Sequence, residues 1–478
     1  MTLVAQGSDS HIFRNKEDIV DHLLISILAN KTRKIGVEWE LFFVKPEFLS
    51  DPSKKAFTRA DGKRAFVEFD RVFRLKGYEP EFLYEENEGE KKIVGLNIPS
   101  LGTIVPEAGY QFEFASAVCN DTEELKEKIE EAQCAIKGVA RRINCAAVFK
   151  GHVPGFAEKT ENINRSRSLE WENYYASCRF SEKDRCVLRE MQDGTASLQV
   201  TVDAGAENFH EFYKALLLIE PALTAYYKNS DRAYISTNEY SKIIPSQVEP
   251  IVDVWAANNP REVLSVLVER LMEIDVPFLP DPDNEGIYKA EPFKGNCPPK
   301  VKELMADGRL SEKVLNNIGG FFYTRPAFRK FSQGLLEIRG IDTQEDPKTV
   351  ISIAQRVSFL VYNDIARKRL LRDYAHLTCA DIQQLHQVAN AAMGGDALHA
   401  KVAEMTVAAF IEDIISRSDR ALPIAKPCCV NTEERTFWPP SHSAIPSQTR
   451  SSLRGTAPIS AMPSPLLSLA SCSQGGVH

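Results

Sequence analysis

Four short segments of the chain alternate apolar and polar residues with a period of two, and their polar positions are rich in carboxylates and amides. Side chains at i and i+2 of a strand point to one face, roughly 6.6 Å apart. In KIGVEWELFFV (Lys34–Val44), Val37, Trp39 and Leu41 share one face while Glu38 and Glu40 share the other. Tyr110–Ala115 sets Phe112 and Phe114 against Gln111 and Glu113. Ala196–Asp203 sets Leu198, Val200 and Val202 against Gln199, Thr201 and Asp203. In Leu335–Ile341, Leu336 and Ile338 pack while Glu337 and Arg339 project together.

Between these segments the pattern changes to helical spacing. Helices are expected over Lys16–Asn30, Asp121–Arg142, His210–Lys228, Pro260–Glu273 and Pro347–Leu370. Asp121 is placed to cap its helix, with Glu residues in the first turn and Arg141 and Arg142 in the last. Strands do not alternate strictly with helices, so an α+β fold with a mainly antiparallel sheet is expected.

The polar faces admit two readings. Antiparallel strands often keep one solvated face. Yet solvated faces usually mix Lys, Thr, Ser and Arg, whereas Glu recurs in three of these four. Gathered on one concave face, Glu38, Glu40, Glu113 and Glu337 would repel one another unless protonated or met by cations. Hard divalent cations such as Mg²⁺ take such oxygen ligands, commonly together with substrate phosphates. Arg339 nearby suits charge developing on a transferred phosphoryl group. Spacing alone leaves both readings open.

Other chemistries lack their motifs. There is no GxxxxGK[ST] loop, no GxGxxG after a strand, no HExxH and no GxSxG. His152, in FKGHVPGF, reads as structural or rim-lining. The balance of 58 basic against 66 acidic residues offers no electrostatic footprint for nucleic acid. No stretch reaches the roughly 18 apolar residues of a membrane span, and the first twenty residues lack a signal-peptide pattern. Ten Cys without a CxxC pair, most of them beside apolar neighbours (Cys134, Cys145, Cys379), are expected to act as small buried hydrophobes in a reducing, cytoplasmic setting.

Taken in order, IGVEWELFF, PEAGYQFEFASA, DGTASLQVTVDA and LLEIRGID resemble the glutamate–cysteine ligase family of the plant and proteobacterial type. Glu107 to Glu113 matches its ExGxQxE motif and Glu337 to Asp342 its E-x-R-G-x-D strand, and ALLLIEPALTAYYKNS is similar to its helix leading to an Asn-Ser turn. The resemblance spans roughly Lys34 to Leu370. It implies a glutamine-synthetase-like catalytic fold, with a curved sheet flanked by helices. The implied reaction is ATP- and Mg²⁺-dependent joining of glutamate, through a γ-glutamyl phosphate, to cysteine, the first step of glutathione formation. By motif position Glu38, Glu40, Glu113 and Glu337 would bind Mg²⁺, with Glu107 a further ligand or a partner of the ligands. Arg339 would contact the transferred phosphate, with Gln111 and Gln199 beside the bound nucleotide and metals. Ala108, Tyr110 and Thr201 depart from the family's usual Pro, Gly and Asn or His, and 150–189 (including Arg165, Arg167, Tyr174 and Tyr175) does not align clearly. A related carboxylate–amine ligase with another substrate pair, or a non-catalytic nucleotide-binding descendant, is the alternative. The sequence leaves the oligomeric state open.

From about Ala421 the chain turns to Ser- and Pro-rich stretches such as PPSHSAIPSQTRSSLRG, with no helical or strand period. Such a composition buries too little apolar surface to offset its chain entropy. The expected organisation is a catalytic domain over 1–420 and a disordered tail over 421–478. Removing residues 421–478 is expected to leave melting temperature and activity nearly unchanged. A drop of several degrees in a thermal melt would show that the tail docks on the rest.

Overall fold

The four alternating segments become neighbouring strands of one sheet. This holds in a computed structural model that describes residues 11–29, 33–87, 90–107, 109–161, 171–172, 174–177, 179–229, 242–277, 297–319, 323–329, 334–391 and 395–421. The strands are β1 (Ile35–Val44), β2 (Glu81–Asn87), β3 (Glu90–Ile98), β4 (Gly102–Pro106), β5 (Gln111–Ser116), β6 (Ala146–Val148), β7 (Ser197–Asp203), β8 (Ala327–Arg329) and β9 (Leu335–Asp342). Their order is β2-β3-β4-β5-β1-β7-β9-β8, with β6 on the end of β1, and every pairing is antiparallel. The four sequence-predicted strands are thus the consecutive run β5-β1-β7-β9.

Each shows its apolar face to the core as the alternation requires. Val37, Trp39, Leu41, Phe112, Phe114, Leu198, Val200, Val202, Leu336 and Ile338 are all buried. The principal helices are α1 (Lys16–Ala29), α2 (Arg59–Leu75), α3 (Thr122–Arg142), α4 (Glu182–Gly194), α5 (Phe209–Tyr226), α6 (Pro260–Met272), α7 (Pro347–Tyr362), α8 (Asp364–Asp373), α9 (Cys379–Ala391) and α10 (Val407–Ser418). Of these, α2 packs on β3, α3 on β1 and β5, α5 on β9, and α7 on β1 and β7.

The expected helices form, with one division. The stretch predicted as Pro347–Leu370 breaks at Asn363, whose extended backbone ends α7 while its side chain accepts a hydrogen bond from the Ala366 N–H to cap α8. Asp121 caps α3 by accepting from the N–H groups of Glu123 and Glu124. The helix α2 was not foreseen. Thr58 and Asp61 form a reciprocal capping box at its start. Its Phe66 and Phe69 then pack on Phe112, with ring centroids 5.7 and 6.0 Å away. Cys145 is buried as expected, but Cys134 is exposed.

The chain divides into two units, Met1–Ile424 and Ala425–His478. Apart from Ala421, the segment expected to be disordered lies outside the described residues, as do Arg165 and Arg167.

One close approach ties sheet to loop. Gly109, in the β4–β5 turn, lies where a Cβ would come within 2.7 Å of the Asp193 backbone. Gly138, inside α3, has open space around it. Gly109→Ala should therefore destabilise by about 1–3 kcal/mol, while Gly138→Ala should stabilise by up to about 1 kcal/mol. Urea unfolding of the two variants checks the opposite signs.

Candidate active site

The polar face of β5-β1-β7-β9 floors a cavity of about 310 Å³, a size suited to a small-molecule ligand. Glu38, Glu40, Glu107, Gln111, Glu113, Gln199 and Arg339 all line it. Seven of the eight predicted site residues therefore meet in one place.

The acidic lining is built by strand register. Glu40 lies directly across from Glu113 on β5, and Glu38 across from Gln199 on β7. Like charges opposed in this way destabilise a sheet. The burial of Glu40, and then the charge of Glu107, push its carboxyl up to about 7. Three hydrogen bonds hold that carboxylate: Ser197 N–H (2.6 Å), Ser197 Oγ (3.1 Å) and Gln199 Nε2 (2.9 Å). Gln199 Oε1 is buried with no hydrogen-bond partner among the described residues. An oriented carboxylate, acidic neighbours and an orphaned amide oxygen form a hard-oxygen donor set of the kind that suits Mg²⁺. Among the described residues no three acidic, His or Cys side chains already converge as a metal cage.

Glu107 enters from the turn between β4 and β5. Its N–H donates to the Gln111 carbonyl (2.7 Å) and its carbonyl accepts from the Tyr110 N–H (3.0 Å). Tyr110 has φ of 61°, the left-handed region glycine adopts freely, at the position where the resembled family carries Gly. Its ring is buried against Phe57 (centroids 5.4 Å apart) and Gly62, where a Cβ would come within 2.5 Å of it. Gln111 uses its amide on backbone: Nε2 donates to the carbonyls of Gln192 (2.6 Å) and Thr195 (3.0 Å), and Oε1 accepts from Gly109 N–H (3.1 Å). It clamps the Glu107 turn to the C-terminal end of α4. There burial, and then the charge of Glu172, push Asp193 up to about 7, with Glu190 and Glu107 adding to the rise.

Glu337 is the predicted residue that does not line the cavity. It is 2% exposed and binds the Arg339 guanidinium, with Arg329 Nε at 3.5 Å and Thr201 Oγ1 donating at 3.0 Å. Burial alone would raise its carboxyl, but Arg339 and Arg329 hold it below the usual range.

Sequence reasoning missed most of the basic and aromatic lining. Arg325, Arg329, Tyr323, Trp171 and Val248 share the cavity with Arg339. The Arg339 guanidinium lies 4.9 Å from the Tyr323 ring centroid, and Tyr323 lies 5.9 Å from Trp171. These residues fall in aperiodic stretches that strand alternation does not flag. Tyr174 and Tyr175 belong to an aromatic cluster behind Trp171. Asp342 accepts from the Asn229 N–H (2.7 Å), joining the end of β9 to the chain after α5.

A cavity that gathers carboxylates and guanidinium groups on one lining belongs to the chemistry of phosphate and carboxylate substrates. Residues 34–230 match the family model of glutamate-cysteine ligase family 2, so the resemblance read from the motifs is borne out there. That match supports an ATP-dependent carboxylate–amine ligase. No curated protein matches the chain. A solved structure described as "Apo GmaS without ligand" is similar at 11% identity over 86% of this chain and 75% of that chain. Its TM-score of 0.29 is too low to define a common fold. Among the described residues no helix is long and apolar enough to cross a membrane.

Behind β9, burial pushes Glu220 up to about 7, against the opposing pull of Arg325. Between about 4.5 and about 7 the folded chain holds a proton that the unfolded chain has lost. The associated stability is full below pH 4.5 and is lost as pH rises to 7. Glu220→Gln should flatten the fall by at most about 1.4 kcal/mol per pH unit. Urea unfolding across this range checks it, and an unchanged slope would count against the assignment.

Proposed function

We propose that the chain ligates the γ-carboxyl of glutamate to the amine of cysteine at the expense of ATP. The observation that carries this reading is a single cavity lined by Glu38, Glu40, Glu107 and Glu113 together with Arg325, Arg329 and Arg339. In the reaction a γ-carboxylate oxygen attacks the γ-phosphorus and ADP leaves. The cysteine nitrogen then attacks the acyl carbon, phosphate leaves, and the amine gives up a proton.

Glu38, Glu40 and Glu113 are the candidate Mg²⁺ ligands, and Glu337 could join them only by leaving Arg339. When bound, Mg²⁺ would neutralise phosphate oxygens. Glu107 supports the ligands from the turn, while Gln111 fixes that turn and Gln199 orients Glu40. Arg339 holds the phosphoryl group through its planar fork, where the charge of a Lys would lack paired contacts. A second reading keeps the chemistry and changes the acceptor: the Trp171 and Tyr323 wall is also suited to a larger apolar amine.

The deciding assay is phosphate release from ATP with glutamate alone, then with cysteine and other amines in turn. No stimulation by cysteine would remove it as acceptor, and no ATP turnover under any condition would remove the ligase reading. Glu113→Gln relieves the repulsion with Glu40, so it should raise the stability of the unliganded chain by about 0.2–1 kcal/mol. The same change should cut turnover at saturating Mg²⁺ at least about tenfold. Near-normal turnover in this variant would take Glu113 off the ligand set.

A further inference from the structure

Within Ala215–Ala225 of α5 the sequence is apolar except for Thr224 and one charged residue, Glu220. Glu220 is 1% exposed, among Leu217, Leu218, Ile219 and Leu223, all buried. Burying a carboxyl there is expensive, and an aliphatic residue would pack with less penalty. Its hydrogen bonds point to a role. Oε1 accepts from the backbone N–H groups of Arg339 (3.0 Å) and Gly340 (2.9 Å). Oε2 has no hydrogen-bond partner among the described residues.

Gly340 makes the meeting possible. A Cβ there would stand 2.6 Å from Thr224 Oγ1, 3.0 Å from Arg325 Nη1 and 3.2 Å from Glu220 Oε1. The Arg325 guanidinium and the Glu220 carboxyl thus flank one glycine of β9, and Arg325 and Arg339 both reach the cavity. The attraction of Arg325 and Arg339 for Glu220 opposes its desolvation. Tyr213, on the same helix, also feels the charge of Glu220.

We propose that Glu220 is a positioning residue for anion binding: from behind β9 it fixes the Arg339–Gly340 backbone and balances the charge of Arg325 and Arg339, whose guanidinium groups bind phosphate or carboxylate in the cavity. The proposal rests on the reading of these guanidinium groups as an anion site, but not on ligase turnover. Gln at this position keeps an acceptor for the two backbone N–H groups and removes the charge. Leu removes both.

The test is calorimetric titration of the full chain with pyrophosphate at one fixed Mg²⁺ concentration and at a pH of about 8.5, above the range in which Glu220 holds its proton, with a thermal melt of each variant. Glu220→Gln should bind at least about threefold tighter than wild type, because the two guanidinium groups lose a competing negative charge. Glu220→Leu should bind at least about tenfold weaker, because the backbone under Arg339 loses its anchor. Equal affinity in all three proteins, whatever happens to the melting temperature, would reduce Glu220 to a structural residue and overturn the proposal. Loss of affinity in Glu220→Gln as large as in Glu220→Leu would overturn the charge-balancing part, and no pyrophosphate binding by the wild type would overturn the whole. If the binding pattern holds while no ATP turnover is found, the ligase reading fails and this one stands.

Discussion

Two carboxylates on neighbouring strands, Glu40 and Glu113, stand directly opposite each other on the face the sheet turns toward the cavity. Opposed like charges strain a pairing that the apolar residues on the other face enforce. Ser197 and Gln199 hold Glu40 by hydrogen bonds, while burial, and then the charge of Glu107, make its carboxyl take a proton more readily than an ordinary glutamate. Within the same cavity the guanidinium groups supply the opposite sign, and Arg339 acts on both Glu38 and Glu40. Glu337 engages Arg339 and Arg329, so the guanidinium charge is itself partly balanced from within β9.

The core gives this arrangement its rigidity. Trp39 and Leu41 alternate with Glu38 and Glu40 along β1, so the register that packs the aromatic layer is the register that aims the carboxylates. A slip of one residue would exchange the two faces. The polar positions therefore depend on Phe112, Phe114 and the α2 phenylalanines as much as on their own contacts.

Strand alternation made much of this legible in the sequence. Glu38, Glu40, Glu113 and Arg339 followed from faces alone, and Glu107 from the motif. What stayed hidden lacks a period. Arg325 and Tyr323 sit in irregular chain, Trp171 beside it, and their roles arise from folding across long sequence separations. Glu337 was assigned to the right face, yet the nearness of Arg329 on β8 is a tertiary fact that no local pattern records. Glu220 did leave a trace, a single acid in a run of aliphatic residues, but only its bonds to Arg339 and Gly340 explain it. The helix α2 was obscured by a polar first turn, although Phe66, Phe69 and Phe73 carry helical spacing.

The strand order also bears on how the chain is made. The acidic strands β1 and β5 and the amide strand β7 are synthesised well before β9, which must pair beside β7 to bring in Arg339. Such distant pairings form slowly, since the intervening loop must close before the contact repays it. During synthesis the emerging chain thus carries a crowded anionic surface with its guanidinium partners still unmade. Completion of the sheet and neutralisation of that surface are one event, so a ribosome that stalls before β9 leaves a chain whose finished portion repels itself.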